Sequence, residues 1–250
     1  MRTKNNGEWQ KMPGLGTIIN AGAIVAAGIL GLLFGRFLTD RCQETVKVSC
    51  GVCVLFIGIA GAMEGMLSIE QEGLASGRSL LVTGSICLGA LIGELINMEG
   101  LFERFGTWLK IRTGNSRDKQ FVEGFVNASL TVCVGAMAVV GSIQDGLLGD
   151  PSILVTKAVL DFVIIVILTC SQGKGCIFSA IPVAAVQGLI TLLAGFIRPI
   201  MTEAALENLS MTGSVLIFCV GLNLVWGRKI RVANLLPSLV LAVAFAFIPC

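Results

Sequence analysis

The sequence predicts an all-α fold, a polytopic bundle of about seven or eight transmembrane helices, and three observations predict it. Of 250 residues, 54% are hydrophobic and only 14% charged, whereas soluble domains average about 45–50% apolar and about 25% charged. Mean hydropathy is +0.86. Apolar windows recur at 15–37, 48–67, 79–98, 121–141, 153–171, 176–197, 211–227 and 233–250, each near the length of about 20 residues that a bilayer span requires. Most of the charge falls between them. The whole chain, 1–250, therefore reads as a single membrane domain with no room for a soluble one, its first partner being the lipid bilayer. The fifth and sixth windows are separated only by Ser171-Gln172-Gly173-Lys174-Gly175, which leaves the count at seven or eight.

The first window, Leu15 to Phe37, lacks a small-residue cleavage site and reads as a retained helix. The longest polar connection, 99–120, carries Arg104, Lys110, Arg112, Arg117 and Lys119, and spaces Leu101, Phe102, Phe105, Trp108 and Leu109 as one helical face. It is expected to be an amphipathic helix on the cytoplasmic surface. Eight spans then put Arg36, Arg41, Lys47, Lys174, Arg228, Lys229 and Arg231 on that same side. Arg2, Lys4, Lys11, Arg78 and Arg198 fall on the other, so both termini are expected outside.

An internal echo divides the chain into a first repeat, 15–98, and a second half, 121–250. Ile19-Asn20-Ala21 recurs as Val126-Asn127-Ala128, with Gly28 and Gly135 each eight residues beyond the Asn. The two copies would lie in opposite orientations, as in inverted-repeat transporters. A second echo, Thr83-Gly84-Ser85 against Thr212-Gly213-Ser214, aligns spans of like orientation instead, and reads as chance or as an inserted span.

Several function classes are disfavoured. A net charge of +2 with no basic block gives nucleic acid nothing to meet. The chain has no His, and its nine Cys lack paired metal spacing, so neither metal nor cofactor is expected. Cys50 and Cys53 form a C-x-x-C, but within an apolar run, where packing thiols outweigh a redox pair. No enzyme is expected either. Serine hydrolysis would lack its usual base, and Gly146-Leu147-Leu148-Gly149-Asp150 is one residue too long for an intramembrane aspartyl-protease motif whose partner Tyr this chain does not contain.

A charge at the bilayer centre costs about 3 kcal/mol on insertion scales, so such groups face a partner or a hydrated cavity. Lys157 and Asp161 lie four apart and share a helix face; they read as a packing lock or as a pathway pair. Glu94 sits late in its window, either snorkelling or lining a cavity. The densest polar cluster, Gly141-Ser142-Ile143-Gln144-Asp145-Gly146-Leu147-Leu148-Gly149-Asp150-Pro151, is expected to contain a broken helix near 141–151, of the kind that binds solutes at membrane depth; an ordinary polar turn is the other reading. Asn20, Asn127, Ser129, Gln187, Thr191 and Asn223 are polar residues inside apolar spans. Each alone reads as interhelical glue; together they suggest a polar interior.

These residues also resemble a known family. Gly141-Ser142-Ile143-Gln144-Asp145-Gly146, Gly149-Asp150, Thr156-Lys157, Leu160-Asp161, Phe178-Ser179-Ala180-Ile181-Pro182, Gln187-Gly188 and Ile190 to Gly195 are similar to the bacterial membrane proteins called domain of unknown function 554, of the YdfK/YqgA type. So are Gly16 to Ala21, Gly221-Leu222-Asn223-Leu224 and Ile230 to Pro237. The resemblance implies a multi-pass protein of the bacterial cytoplasmic (inner) membrane and a transporter, with no named substrate.

The expected function is a transporter or channel for a small solute or ion. Its pathway residues would be Asn20, Glu94, Asn127, Ser142, Gln144, Asp145, Asp150, Lys157, Asp161, Gln187 and Asn223. The alternative is a non-transporting membrane subunit that stabilises or regulates a partner. Glycine-lined faces make a homodimer a reasonable expectation.

Overall fold

The computed structural model describes residues 12–70, 73–133 and 136–247, and nearly all of them are helical. In an apolar medium each backbone amide has to be satisfied within its own segment, and the apolar windows do this as helices. They are α1 (Leu15–Gly35), α2 (Asp40–Met66), α3 (Ser79–Ile96), α4 (Met98–Arg112), α5 (Phe121–Cys133), α6 (Ala136–Leu148), α7 (Ser152–Gln172), α8 (Ala180–Leu192), α9 (Ala194–Ile197), α10 (Glu203–Trp226) and α11 (Pro237–Phe245). Short 3-10 turns cover Gly173–Ser179 and Val232–Leu235. A small antiparallel hairpin, β1 (Leu67–Glu70) and β2 (Gly73–Ser76), joins α2 to α3 with Leu67 opposite Ser76.

Five stretches are long and apolar enough to cross a bilayer: Leu15–Gly35, Arg41–Met66, Ser79–Ile96, Ser152–Leu192 and Glu203–Trp226. A sixth is obtained if α5 and α6, bent by 64° at the break between them, form one span. This falls short of the seven or eight expected. The last window yields only short helical pieces, Val232–Phe245, and the fifth and sixth windows merge into the single 41-residue stretch Ser152–Leu192.

That stretch nevertheless folds back on itself at Gly173, whose φ of +80° is open to glycine and strained for other residues. Gly16 and Gly31 of α1 pack on Leu154 and Thr169 of α7, so α1 and α7 run in the same sense. Gly28 meets Ile177, while Thr17 and Ala21 share a groove with Ala180 and Ala184, so α8 runs the opposite way.

Close helix crossing sets the packing. In an antiparallel pair, α2 offers Gly51, Gly58, Gly61 and Gly65 to Leu224, Phe218, Ser214 and Met211 of α10. Gly89 and Gly93 of α3 likewise admit the backbone of Ser238 and Asn234. Small residues let backbones approach where lipid removes the hydrophobic drive between helices. The surface distribution is that of a protein in lipid: Phe34, Phe56, Leu95 and Leu192 point outward, while Asn20, Ser142, Asp145, Thr212 and Ser238 are fully buried.

The break expected near 141–151 is not there. Helix α6 passes unbroken through Gly141 and Gly146 and ends at Leu148; Gly149, at φ +66°, and Pro151 form the turn into α7. Gly141 and Gly146 serve close packing, against Leu154 and against the Thr191 carbonyl. The discontinuity lies earlier, between Cys133 and Ala136, while α1 continues unbroken. Helices α1 and α5 do run in opposite senses, but Gly135, the echo of Gly28, lies outside the described residues. The basic N-terminal residues Arg2, Lys4 and Lys11 do too. Helix α4 forms within the expected 99–120 connection and packs on α5, with Phe105 and Phe125 ring centroids 5.8 Å apart.

Candidate functional site

Beside the bend between α5 and α6 lies the one charged pair that, among the described residues, is enclosed on both sides. Helical spacing puts Lys157 and Asp161 of α7 one turn apart, and Lys157 Nζ donates to Asp161 Oδ2 at 2.5 Å. Their side chains are 8% and 6% exposed. Nζ donates again, at 2.8 Å, to the carbonyl of Val132 in the last turn of α5. The last four carbonyls of a helix have no intrahelical donor and carry its negative dipole end, so an ammonium is a fitting partner for one of them. From α1, Asn20 Nδ2 donates to the same Asp161 oxygen at 3.1 Å. Asp161 stands nine residues into a helix rising about 1.5 Å per residue, which places it well inside the bundle. Three elements thus meet at one ion pair, and removing either charge would strand the other at a cost of about 3–5 kcal/mol.

A second polar group lies toward the start of α1. The Gly16 amide donates to Asp145 Oδ2 at 3.0 Å, so a carboxylate of α6 serves the orphan amides and positive end of α1. Gly16 is required there, since a Cβ would press on Leu154 at 2.7 Å and on that same oxygen at 3.1 Å. Asp145 Oδ1 is buried with no partner, as are Ser142 Oγ, Thr17 Oγ1, Asn20 Oδ1, Thr191 Oγ1 and both side-chain polar atoms of Gln187. Unpartnered buried polar atoms are rare in folded proteins. Those named are carried by α1, α6 and α8, which pack against one another, and others, Ser85, Ser129, Thr169, Gln172 and Thr212, extend the buried polar set to α3, α5, α7 and α10.

The remaining expected residues divide. Gln144 and Ser152 both bond Asp150, at 2.5 Å from Gln144 Nε2 and 3.0 Å from the Ser152 amide, tying the end of α6 to the start of α7. Those bonds, from Ser152 first, hold the Asp150 carboxyl below its ordinary range. Asn127 donates to Gln172 at 3.0 Å near the other end of α7. Asn223 clasps the 227–231 loop, accepting from the Lys229 and Ile230 amides, which makes it a turn-former. Glu94 is exposed and pairs with Arg231 at 2.5 Å, at the Gly35 end of the bundle and away from the break.

Sequence reasoning missed Glu99, which is buried, accepts from Arg228 and from the Ala233 amide, and fastens α4 to the chain before α11. Burial disfavours the Arg228 charge, yet its bonds to Glu99 and Glu103 outweigh that and raise its pKa. The sequence signal was an acid at the head of a basic connection, with Glu103 one helical turn further on. None of the five cavities, which open at the hairpin, at the Arg228 cluster and along three apolar or interfacial grooves, is lined by Lys157 or Asp161. Both side chains of the pair are buried.

Apolar helices around a charged pair set at a discontinuous helix define a polytopic membrane protein with a polar interior. The chain belongs to the family described as Protein of unknown function (DUF554), which it matches over residues 15–247. It is similar to YqgA of Escherichia coli (strain K12), 29% identical over 232 residues that cover 91% of this chain and 94% of that protein. It is also similar to the uncharacterized membrane protein YdfK of Bacillus subtilis (strain 168), 27% identical over 233 residues covering 93% and 96%. No solved structure matches it.

Proposed function

We propose that this chain carries a small solute or ion across the bacterial cytoplasmic membrane, through a pathway that runs by the break between α5 and α6. The observation that supports this is the bonding of Lys157 to the Val132 carbonyl and to Asp161, beside the 64° bend between α5 and α6. Transporters place half-helix ends and intramembrane charges together because each end offers fixed partial charge without loose chain in lipid. The closed pair corresponds to an occluded state, and Asp145 with its unpartnered oxygen extends the polar path toward the start of α1. The Gly35 end would face the cytoplasm, because Arg36, Arg41, Lys174, Arg228, Lys229 and Arg231 cluster there.

The test is flux into liposomes containing the purified protein, against a panel of cations, anions and amino acids, with Asp161→Asn and Asp145→Asn beside the wild type. Flux in the wild type that either substitution abolishes supports the pathway. Wild type and correctly folded variants that all move nothing would leave the chain as a membrane subunit acting on a partner.

A further inference from the structure

The surroundings of Lys157 Nζ narrow the class of cargo, an inference that rests on the transport reading of this site. The ammonium is held by one carboxylate oxygen and one helix-end carbonyl, Asp161 Oδ2 at 2.5 Å and Val132 O at 2.8 Å. Asn20 brackets the same carboxylate from α1, and its own Oδ1 is buried without a partner. The ammonium thus rests on two hard oxygen donors carrying a single full negative charge, with the unpartnered Asn20 Oδ1 on the side chain that bonds the same carboxylate. The nearest additional acid described along the polar interior, Asp145, is bonded to the Gly16 amide instead. One carboxylate with neutral carbonyls balances one positive charge, whereas divalent sites use several carboxylates. Half-helix C-terminal ends and unwound carbonyls are known to coordinate monovalent ions at membrane depth.

We propose that Lys157 is a tethered stand-in for a small monovalent cation, and that Asp161, the Val132 carbonyl and Asn20 bind a free ammonium or alkali-metal ion when the lysine withdraws. The flexible four-carbon stem allows withdrawal without moving the helix. Two positive charges cannot share one carboxylate oxygen in a low-dielectric interior, so lysine and cation exclude each other. That exclusion gives the closed, ion-free state a definite occupant and gives the incoming ion something to displace. Ammonium reproduces the lysine head most closely, since it too donates hydrogen bonds to all the oxygens available.

The experiment is thermal unfolding of the purified protein in detergent, titrated with ammonium, sodium or potassium chloride at constant ionic strength against N-methyl-D-glucamine chloride. A ligand that binds only the folded state raises the midpoint in proportion to its saturation. Lys157→Ala should bind at least one of the three ions with an apparent affinity about tenfold or more above the wild type, and K157A/D161N should not respond. Equal midpoints of K157A in all four salts, or an equal response in the double variant, overturn the proposal. Should K157A be recoverable only with one of the three ions present, the ion has replaced the lysine; failure to recover it in any of them overturns the proposal as well. Ion binding by K157A with no flux in liposomes removes the transport reading and keeps the site. Flux without ion binding does the reverse.

Discussion

Replacing Lys157 by Met, alone and together with Asp161→Asn, separates the cost of a stranded charge from the worth of the pair. The single change removes the bonds to Asp161 Oδ2 and to the Val132 carbonyl, and leaves the carboxylate with Asn20 as its described partner, at 3.1 Å. Hydrogen bonds to charged groups contribute about 1.5–3 kcal/mol each, so two of them give about 3–6 kcal/mol, in line with the roughly 3–5 kcal/mol seen when a buried pair loses one member. The double variant removes both charges and lets the introduced amide bond Asn20, leaving the Val132 carbonyl as the uncompensated group at about 1–3 kcal/mol. The double variant is therefore expected to be about 2–3 kcal/mol more stable than K157M. Reversible unfolding in mixed micelles, followed by tryptophan fluorescence, measures both values. A double variant as unstable as K157M, or a single variant costing under about 1 kcal/mol, would refute the claim that the pair is enclosed and mutually dependent.

Other outcomes are equally specific. Gly93→Ala would drive a methyl into the Asn234 carbonyl and should lower stability by about 1–3 kcal/mol. Gly188→Ala, with open space at its Cβ, should be neutral or stabilising by up to about 1 kcal/mol; melting midpoints compare the two. Glu99→Gln weakens the hold on Arg228 that fastens α4, and trypsin should cut after Arg228 and Lys229 several-fold faster. The Asp150 carboxyl is held below its ordinary value, so what it contributes is complete above about pH 4 and fades only as pH falls through the lowered value. Asp150→Asn should accordingly melt below the wild type by a constant margin across about pH 5–8, and the margin should close in stronger acid.

The pairing of Lys157 with Asp161 was legible because helical spacing alone brings residues four apart together. Its third member was not: Asn20 reaches Asp161 across 141 residues, and no periodicity encodes such a contact. The broken helix was expected where glycine and proline are dense, at 141–151, and the bend lies between Cys133 and Ala136 instead. Glycine in a membrane helix serves close approach as readily as interruption, and Gly141 and Gly146 do the former. Asn223 misled for a related reason, since a polar side chain in an apolar window can be satisfied by the next turn of its own chain rather than by a neighbouring helix. Composition made the helical membrane bundle plain, and the short spacer 171–175 between the fifth and sixth windows is where the stretch Ser152–Leu192 turns back.

The bond from the Gly16 amide to Asp145 spans 129 residues, and that separation has a meaning in time. A ribosome working at about 5–20 residues per second needs roughly 6–26 s to make the intervening chain. For most of that interval α1 is already complete, and its first amides and Asn20 wait for partners that do not yet exist. Helix insertion and assembly of the polar interior are thus separate events, and the mean hydropathy of 2.1 in α1 is what holds the first in place until the second can begin.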